Sequence, residues 1–215
     1  MTVLIFIIAA VFVAVVAVSA LIDRRNRREL QAWATSRGWT YRENGGGDWA
    51  GFLPQGRRRN GVKIQLNGTW QGRPITLADY WYKTVHSNGQ TRTTRTHHLT
   101  TVVVHLAAPY PAVVLHSRTL GSLGLGVAQA VGRHPANLTG IPEFDSRFRI
   151  ETDQHDASEL VTALVAHATL QGNLPPWQLR GRDLIIPWPG SLNAPDLDHK
   201  LTQAHALAAQ LDQLS

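Results

Sequence analysis

The chain has 215 residues, no cysteine, 43% hydrophobic residues and a formal net charge of +6 at neutral pH. The absence of cysteine excludes a disulfide framework, thiolate-bound zinc, iron–sulfur clusters and a thiol nucleophile. Residues 1–22 contain no charged side chain, so the chain divides into an apolar N-terminal segment and a body long enough to bury the core of one domain.

The N-terminal segment has the length and composition of a membrane-spanning helix. Residues 3–22 are Val, Ile, Leu, Phe and Ala apart from Ser19. A helix of that length is roughly 30 Å long, which matches the hydrocarbon core of a bilayer. We therefore predict a transmembrane helix over 1–22. A cleaved signal peptide, with release of the body after Ala20, is the alternative; it is disfavoured because no Lys or Arg precedes the apolar run, which exceeds the ~7–15 residues of a signal core.

A cluster of basic side chains follows the apolar segment directly. It consists of Arg24, Arg25, Arg27 and Arg28. The positive-inside bias then predicts a single-pass protein with the N-terminus outside and the C-terminal domain in the cytoplasm. The same side chains are the candidate membrane-surface contact, since each arginine near anionic headgroups gains about 1 kcal/mol. The expected partners are the lipid bilayer, its anionic headgroups and an unidentified protein.

Positive charge is concentrated in the half of the body nearer the apolar segment. Residues 23–118 carry 15 basic and 5 acidic side chains, whereas residues 119–215 carry 6 basic and 10 acidic ones. Basic chains often bind nucleic acid, but the arginine clusters lack the interleaved aromatic residues of a stacking surface. Nucleic-acid binding is therefore disfavoured. The loop arginines at 57–59 are interpreted as a solvated turn, with a second contact to an acidic membrane surface as the functional alternative.

Residues 23–38 predict a basic juxtamembrane helix that continues from the first segment and docks on the body. Leu30, Trp33 and Ala34 share one face by their spacing, and Gly38 is placed as the C-terminal stop. Residues 39–215 then form the soluble domain.

The first half of that domain predicts antiparallel strands. Val62, Ile64 and Leu66 alternate with polar residues, and residues 68–72 form a turn into a second strand. Both faces of that strand are substantial: Ile75, Leu77, Asp79 and Trp81 share one, and Thr76, Ala78, Tyr80 and Tyr82 share the other. A further turn is predicted at 107–111. The predicted strands are 39–42, 62–67, 73–83, 96–106 and 112–116.

The second half combines helices with further strands. Residues 119–132 contain four glycines, but Gln129 stands where a dinucleotide fingerprint needs its third glycine, so we predict a buried small-residue helix or loop. Residues 143–151 are predicted to form a connecting segment that leads into a strand. Asp156, with Glu159 in a capping box, begins a helix whose apolar face is Leu160, Val161, Leu164, Val165 and Ala168. Residues 180–182 form the turn of a hairpin. A final helix starts over residues 193–196, and its apolar face consists of residues at helical spacing: Leu197, Leu201, Ala204, Ala208 and Leu211. The prediction is an α+β fold: a transmembrane helix, then an antiparallel-sheet domain with two helices in its C-terminal half.

No established catalytic motif is present, and we predict no catalytic residue, cofactor or metal ion. His97 and His98 are adjacent and point to opposite faces of a strand. His105 and His116 could approach across the predicted turn at 107–111, but a zinc site would need a further ligand. Residues 153–156, Asp-Gln-His-Asp, are interpreted as a polar loop rather than a metal site. A membrane-bound enzyme stays the alternative, and it would need a pocket that gathers residues such as His97, His105 or Asp79.

Aromatic and glycine positions carry a resemblance across most of the body. Trp33 with Trp39 and Tyr41, the hairpin from Gly68 to Tyr82, and residues 144–153 resemble a group of uncharacterised actinobacterial single-pass membrane proteins. The resemblance implies an N-terminal anchor and a small domain on the cytoplasmic side or in the envelope, and it carries over no catalytic residue. The predicted function is a membrane-anchored, non-enzymatic interaction or scaffold domain.

Overall fold

The structure is a computed structural model that describes residues 2–56, 59–87, 89, 91–118, 134–135, 139–152 and 160–213; for residues 2–12, 86 and 134–135 it describes the backbone alone. The helices are α1 (Thr2–Ser36), α2 (Pro142–Arg147), α3 (Ala163–Gln171) and α4 (Leu197–Asp212). The strands are β1 (Thr40–Glu43), β2 (Asn60–Trp70), β3 (Arg73–Ser87), β4 (Arg92–Ser117), β5 (His134–Pro135), β6 (Phe148–Thr152) and β7 (Gln178–Pro189). Short 3₁₀ helices cover Asp48–Phe52 and Ala194–Asp196. The α+β class with an antiparallel sheet is confirmed.

The N-terminal apolar segment and the juxtamembrane segment form one unbroken helix. α1 passes through residues 22 and 23 without interruption, and the chain leaves it at Gly38, whose φ of +70° is the left-handed conformation that ends a helix. Leu30, Trp33 and Ala34 are buried in the core, as their spacing predicted.

The transmembrane helix predicted over 1–22 is not confirmed. Among the side chains that the structure describes, no helix is both long enough and apolar enough to cross a membrane. In α1 the described apolar stretch is residues 13–22, and charged residues follow it from Asp23 onward.

The seven strands form one antiparallel sheet around the 26-residue strand β4. One edge of β4 pairs with β3 and then with β6. β7 lies on the other edge, because Val113 and Val114 pair with β6 and β7 at once and a residue has one partner per edge. β2 and β1 continue the sheet beyond β3, and β5 continues it beyond β6.

Two predicted turns are wrong, because both segments are irregularities inside long strands. β4 continues through 107–111, and β7 continues through 180–182. The β4–β7 register shifts on either side of Tyr110. Tyr110 pairs with Gly181, whose own φ is +59°. Proline and glycine here bend two paired strands together instead of reversing the chain.

Both faces of the sheet are covered, in agreement with the two substantial faces predicted for 73–83. On the helix face, α1, α3 and α4 pack over strand residues such as Ile75, Leu77 and Val102. On the loop face, the 3₁₀ helix Asp48–Phe52 covers a smaller cluster of Trp49, Leu53, Val62, Ala78, Tyr80, Tyr82, Leu99, Val103 and Ile185.

The C-terminal half differs in part from the prediction. α4 buries the expected face of Leu197, Leu201, Ala204, Ala208 and Leu211. α3 begins at Ala163, and the Thr162 hydroxyl caps it by accepting a hydrogen bond from the Val165 N–H at 3.4 Å. Leu164 is 55% exposed, so its predicted place on the apolar face is wrong. The sequence did not predict the short helix α2, which lies directly before β6. The predicted cap of Asp156 and Glu159 and the segment 119–132 lie outside the described residues.

Candidate functional site

The N-terminal half of α1 is exposed along its described length. Every residue from 13 to 22 is exposed. The large apolar side chains among them are between 52% and 66% exposed: Val13, Val15, Val16, Val18, Leu21 and Ile22. A continuous apolar surface of this kind marks a contact with a membrane or another protein.

The structure divides the predicted membrane-surface arginines into two groups. Arg24, Arg25 and Arg28 are exposed, and although Arg25 donates to the Glu29 carboxylate at 2.7 Å its side chain remains 82% exposed. Arg27 instead turns toward the body, where it pairs with Glu43 at 2.9 Å and with Asp23 at 3.4 Å. Lipid contact of these side chains stays a prediction, for which Arg27 is the least available.

Polar contacts fix the point at which α1 leaves the body. The Lys63 ammonium pairs with Asp23 at 2.6 Å, and the Asn26 side-chain amide donates to the Leu192 carbonyl at 2.8 Å. The hydrogen bond from Lys63 holds the pKa of Asp23 below its usual value, so the pair persists until the pH falls into the acidic range. An open cleft of about 490 Å³ beside the pair is lined by Ser19, Ala20, Ile22, Asp23 and Lys63.

A β-bulge directs Lys63 toward α1. The β2–β3 register shifts between Val62 and Ile64, so Lys63 is the extra residue of β2. Val62 therefore packs on the loop face while Ile64 packs on the helix face, and the predicted single face for the two residues is wrong. Local alternation gave no signal for the bulge.

A buried carboxylate lies next to this junction. Asp79 is 1% exposed; the His98 ring nitrogen Nδ1 lies 3.4 Å from its carboxylate, and the Leu192 N–H donates a hydrogen bond to it. Burial raises the pKa of Asp79, and the charge of His98 opposes that shift. Because the Leu192 carbonyl accepts from Asn26, the Leu192 main chain connects the buried carboxylate to α1.

The residues that an enzyme would have to gather do not meet. Asp79 shares the helix face with Ile75 and Leu77, whereas His97 and His105 share the loop face with Leu99 and Val103. The two histidines are separated by roughly 26 Å along β4. His97 stacks on Tyr82 with ring centroids 4.8 Å apart and lies 2.9 Å from the Thr84 hydroxyl.

His105 belongs to a polar network of hydrogen-bonded side chains that the sequence did not reveal. Its Nδ1 lies 2.7 Å from the Asp183 carboxylate, its Nε2 lies 3.1 Å from the Thr76 hydroxyl, and Thr76 donates to Asn67 at 2.9 Å. The sequence missed Asp183 because its place opposite His105 requires β7 to continue through the predicted hairpin.

The distances within this polar network are those of a carboxylate–imidazole–hydroxyl triad, but its chemistry differs. Thr76 is 5% exposed and does not line the adjacent cavity of about 550 Å³, which His105 and Asp183 do line. The Thr76 hydroxyl donates to Asn67, and which atom donates in its contact with the His105 Nε2 depends on the tautomer of the ring. This polar network joins β2, β3, β4 and β7, and it supplies no accessible nucleophile.

Among the described residues, His116 contacts a single carboxylate. His116 lies 3.0 Å from Glu151 across the β4–β6 ladder. His105 and His116 cannot approach across a hairpin, because β4 continues between them. Within the described ranges, no group of three or more His, Asp or Glu side chains could hold a metal ion. The Asp-Gln-His-Asp segment at 153–156 lies outside those ranges.

Comparison with known proteins relates the chain to a fold. No protein-family model matches it, and no curated protein matches it. The crystal structure of the mycobacterial trehalose monomycolate transport factor A, TtfA, is similar at a TM-score of 0.57 and 13% sequence identity, over 87% of this chain and 95% of that one. At this level of identity, the likeness shows that the chain shares the α+β fold of TtfA.

Proposed function

We propose that this chain is a membrane-associated, non-enzymatic protein whose body serves as an interaction or scaffold module at the bilayer surface. The observation that carries the proposal is the exposed apolar half of α1, which continues without a break into a helix buried in the core. Burial of this surface in lipid would remove the largest described patch of exposed apolar side chains from water. TtfA is named as a transport factor, which supports a non-enzymatic role.

Electrostatics supports the same arrangement. Arg24, Arg25 and Arg28 are exposed immediately after the apolar stretch, where anionic headgroups would meet them. The body behind them is fixed to α1 by Asn26 and by the pair of Asp23 and Lys63, so its position relative to the bilayer would follow that of the helix.

Flotation with lipid vesicles tests this function. We expect the full chain to float with vesicles and Val16→Asp to lower the partition by up to roughly a hundredfold, because an aspartate near the centre of an inserted helix costs up to about 3 kcal/mol. Leu164→Asp is the matched control, since Leu164 is 55% exposed on the body and Val16 is 52% exposed. Equal flotation of the two variants, or a wild-type chain that stays with the soluble fraction, contradicts the proposal.

The depth of insertion is a separate outcome. Resistance to alkaline extraction indicates a helix that spans the bilayer, and for that case the arginine cluster predicts the N-terminus outside and the body in the cytoplasm. A reporter fused after Ser215 that is active only outside would overturn this orientation. N-terminal sequencing of the mature chain distinguishes release after Ala20, which would leave Leu21 as the first residue.

A further inference from the structure

The hairpin of β3 and β4 extends past its neighbouring strands. β2 begins at Asn60, opposite Tyr82, and β7 ends at Pro189, opposite Leu99. Beyond those points, the β3–β4 ladder continues from the pair of Lys83 with Thr96 to the pair of Ser87 with Arg92. We call residues 83–87 and 92–96 the β3–β4 arm.

The arm and the apolar half of α1 leave the body at the same end. Along β2, Asp23 of α1 contacts Lys63, whereas Trp39, just after α1, contacts Thr69. α1 therefore runs in the same direction as β2, and its N-terminal half continues past the beginning of that strand. Tyr82 pairs with the first residue of β2, so the arm continues past the same point.

The arm carries positive charge without negative charge. Arg92 and Arg95 are exposed and form no ion pair with any described residue, and the Lys83 ammonium lies 5.6 Å from the Trp81 ring centroid. No acidic residue occurs between Asp79 and Glu143 in the sequence. By the alternation of the strands, Trp81, Lys83 and Arg92 lie on the helix face and Arg95 on the loop face.

We infer that the β3–β4 arm is a second membrane contact, which binds anionic lipid headgroups beside the apolar helix. The inference rests on the proposed function, because α1 must first bring this end of the body to a bilayer. Lysine and arginine with a neighbouring tryptophan are the side chains that favour the headgroup region. Two contacts at one end fix the rotation of the body about α1, which a single helix cannot do.

A site-specific fluorophore tests the contact. The chain contains no cysteine, so one introduced thiol is labelled uniquely. Thr94→Cys places an environment-sensitive fluorophore on the arm, and Ala206→Cys places it on the exposed side of α4. The full chain is reconstituted in vesicles of phosphatidylcholine, with or without phosphatidylglycerol, and quenching by a headgroup-labelled lipid is measured.

We expect quenching at residue 94 only in vesicles that contain phosphatidylglycerol, and none at residue 206. Arg92→Gln with Arg95→Gln should lower the contact equilibrium of the arm by roughly tenfold or more. Arg149→Gln with Arg182→Gln removes the same charge from exposed positions on β6 and β7 and should leave the quenching unchanged.

Each failure has its own signature. If the chain stays with the vesicles but residue 94 is unquenched, or is quenched regardless of lipid charge or of the arginines, the arm contact is wrong and the proposed function stands. If the chain does not stay with the vesicles, the proposed function itself fails, and the arm contact fails with it.

Discussion

Asp79 is a carboxylate in the interior with one histidine facing it. Burial raises its pKa above the usual value, against the opposing charges of His98 and Lys63. A carboxyl group whose pKa is raised by folding stabilises the fold fully below its unfolded pKa, and that contribution is lost as the pH rises through the folded pKa. We therefore expect Asp79→Asn, which keeps the shape and removes the charge, to gain stability relative to wild type as the pH rises, by about 1.4 kcal/mol for each unit of raised pKa.

Urea unfolding at several pH values measures this difference in free energy of unfolding. Asp48→Asn changes the same residue type at an exposed position and serves as the control. An advantage of Asp79→Asn that shrinks toward alkaline pH would contradict the assignment of Asp79 as a buried acid.

At the residue scale, the sequence predicted what depends on neighbours along the chain. The period of two placed Asp79 with Ile75 and Leu77 on one face of β3, and the structure agrees. The partners of Asp79 could not be predicted in this way, because His98 comes from another strand and Leu192 from a loop more than a hundred residues away. The sequence also did not predict that Lys63 contacts α1, because the bulge that directs it there has no signature in the alternation of apolar residues.

At the scale of elements, two tryptophans join α1 to the sheet. Trp33 of α1 and Trp39 pack edge to face, with ring centroids 5.2 Å apart. The Trp39 ring covers Gly68 so closely that a Cβ at this position would overlap it. We expect Gly68→Ala to displace Trp39 and to lower the free energy of unfolding by about 1–3 kcal/mol, the usual cost of overpacking.

The measurement is the urea midpoint of the full chain in mild detergent. Gly51→Ala is the control, because a Cβ there meets no atom within 4 Å, and we expect a change within about 0.5 kcal/mol. Equal midpoints for the two variants would show that Trp39 does not hold α1 in place.

The elements that the sequence predicted best are those whose pattern is local and long. The helix of 23–38 and α4 bury the predicted faces, because helical periodicity over several turns leaves few alternatives. The strands β4 and β7 were divided by wrongly predicted turns, since Pro111 and Gly181 signal a turn equally well when they bend a paired strand. Only the pairing of the two strands distinguishes these cases, and pairing is a property of the tertiary structure.

At the scale of the whole molecule, the core includes side chains of the predicted juxtamembrane helix, which the sequence predicted to dock on the body. The predicted division placed a juxtamembrane helix at 23–38 and the soluble domain at 39–215. In the structure Leu30 and Ala34 are fully buried, and Trp33, which is 9% exposed, donates to Asp198 of α4 at 3.2 Å. Residues 13–22, by contrast, are exposed. The packing therefore favours residue 22 or 23 as the limit of the folding unit.

Two truncations separate these limits by stability. A chain of residues 23–215 keeps every described core residue, so we expect its free energy of unfolding to match that of the full chain in detergent to within about 0.5 kcal/mol. A chain of residues 39–215 loses Leu30 and Trp33 from the core, at about 2–5 and 3–5 kcal/mol respectively. Since a domain has about 5–15 kcal/mol of stability in total, the shorter chain should be largely unfolded. Circular dichroism with urea titration measures both, and a cooperative transition of residues 39–215 equal to that of residues 23–215 would show that α1 is external to the fold.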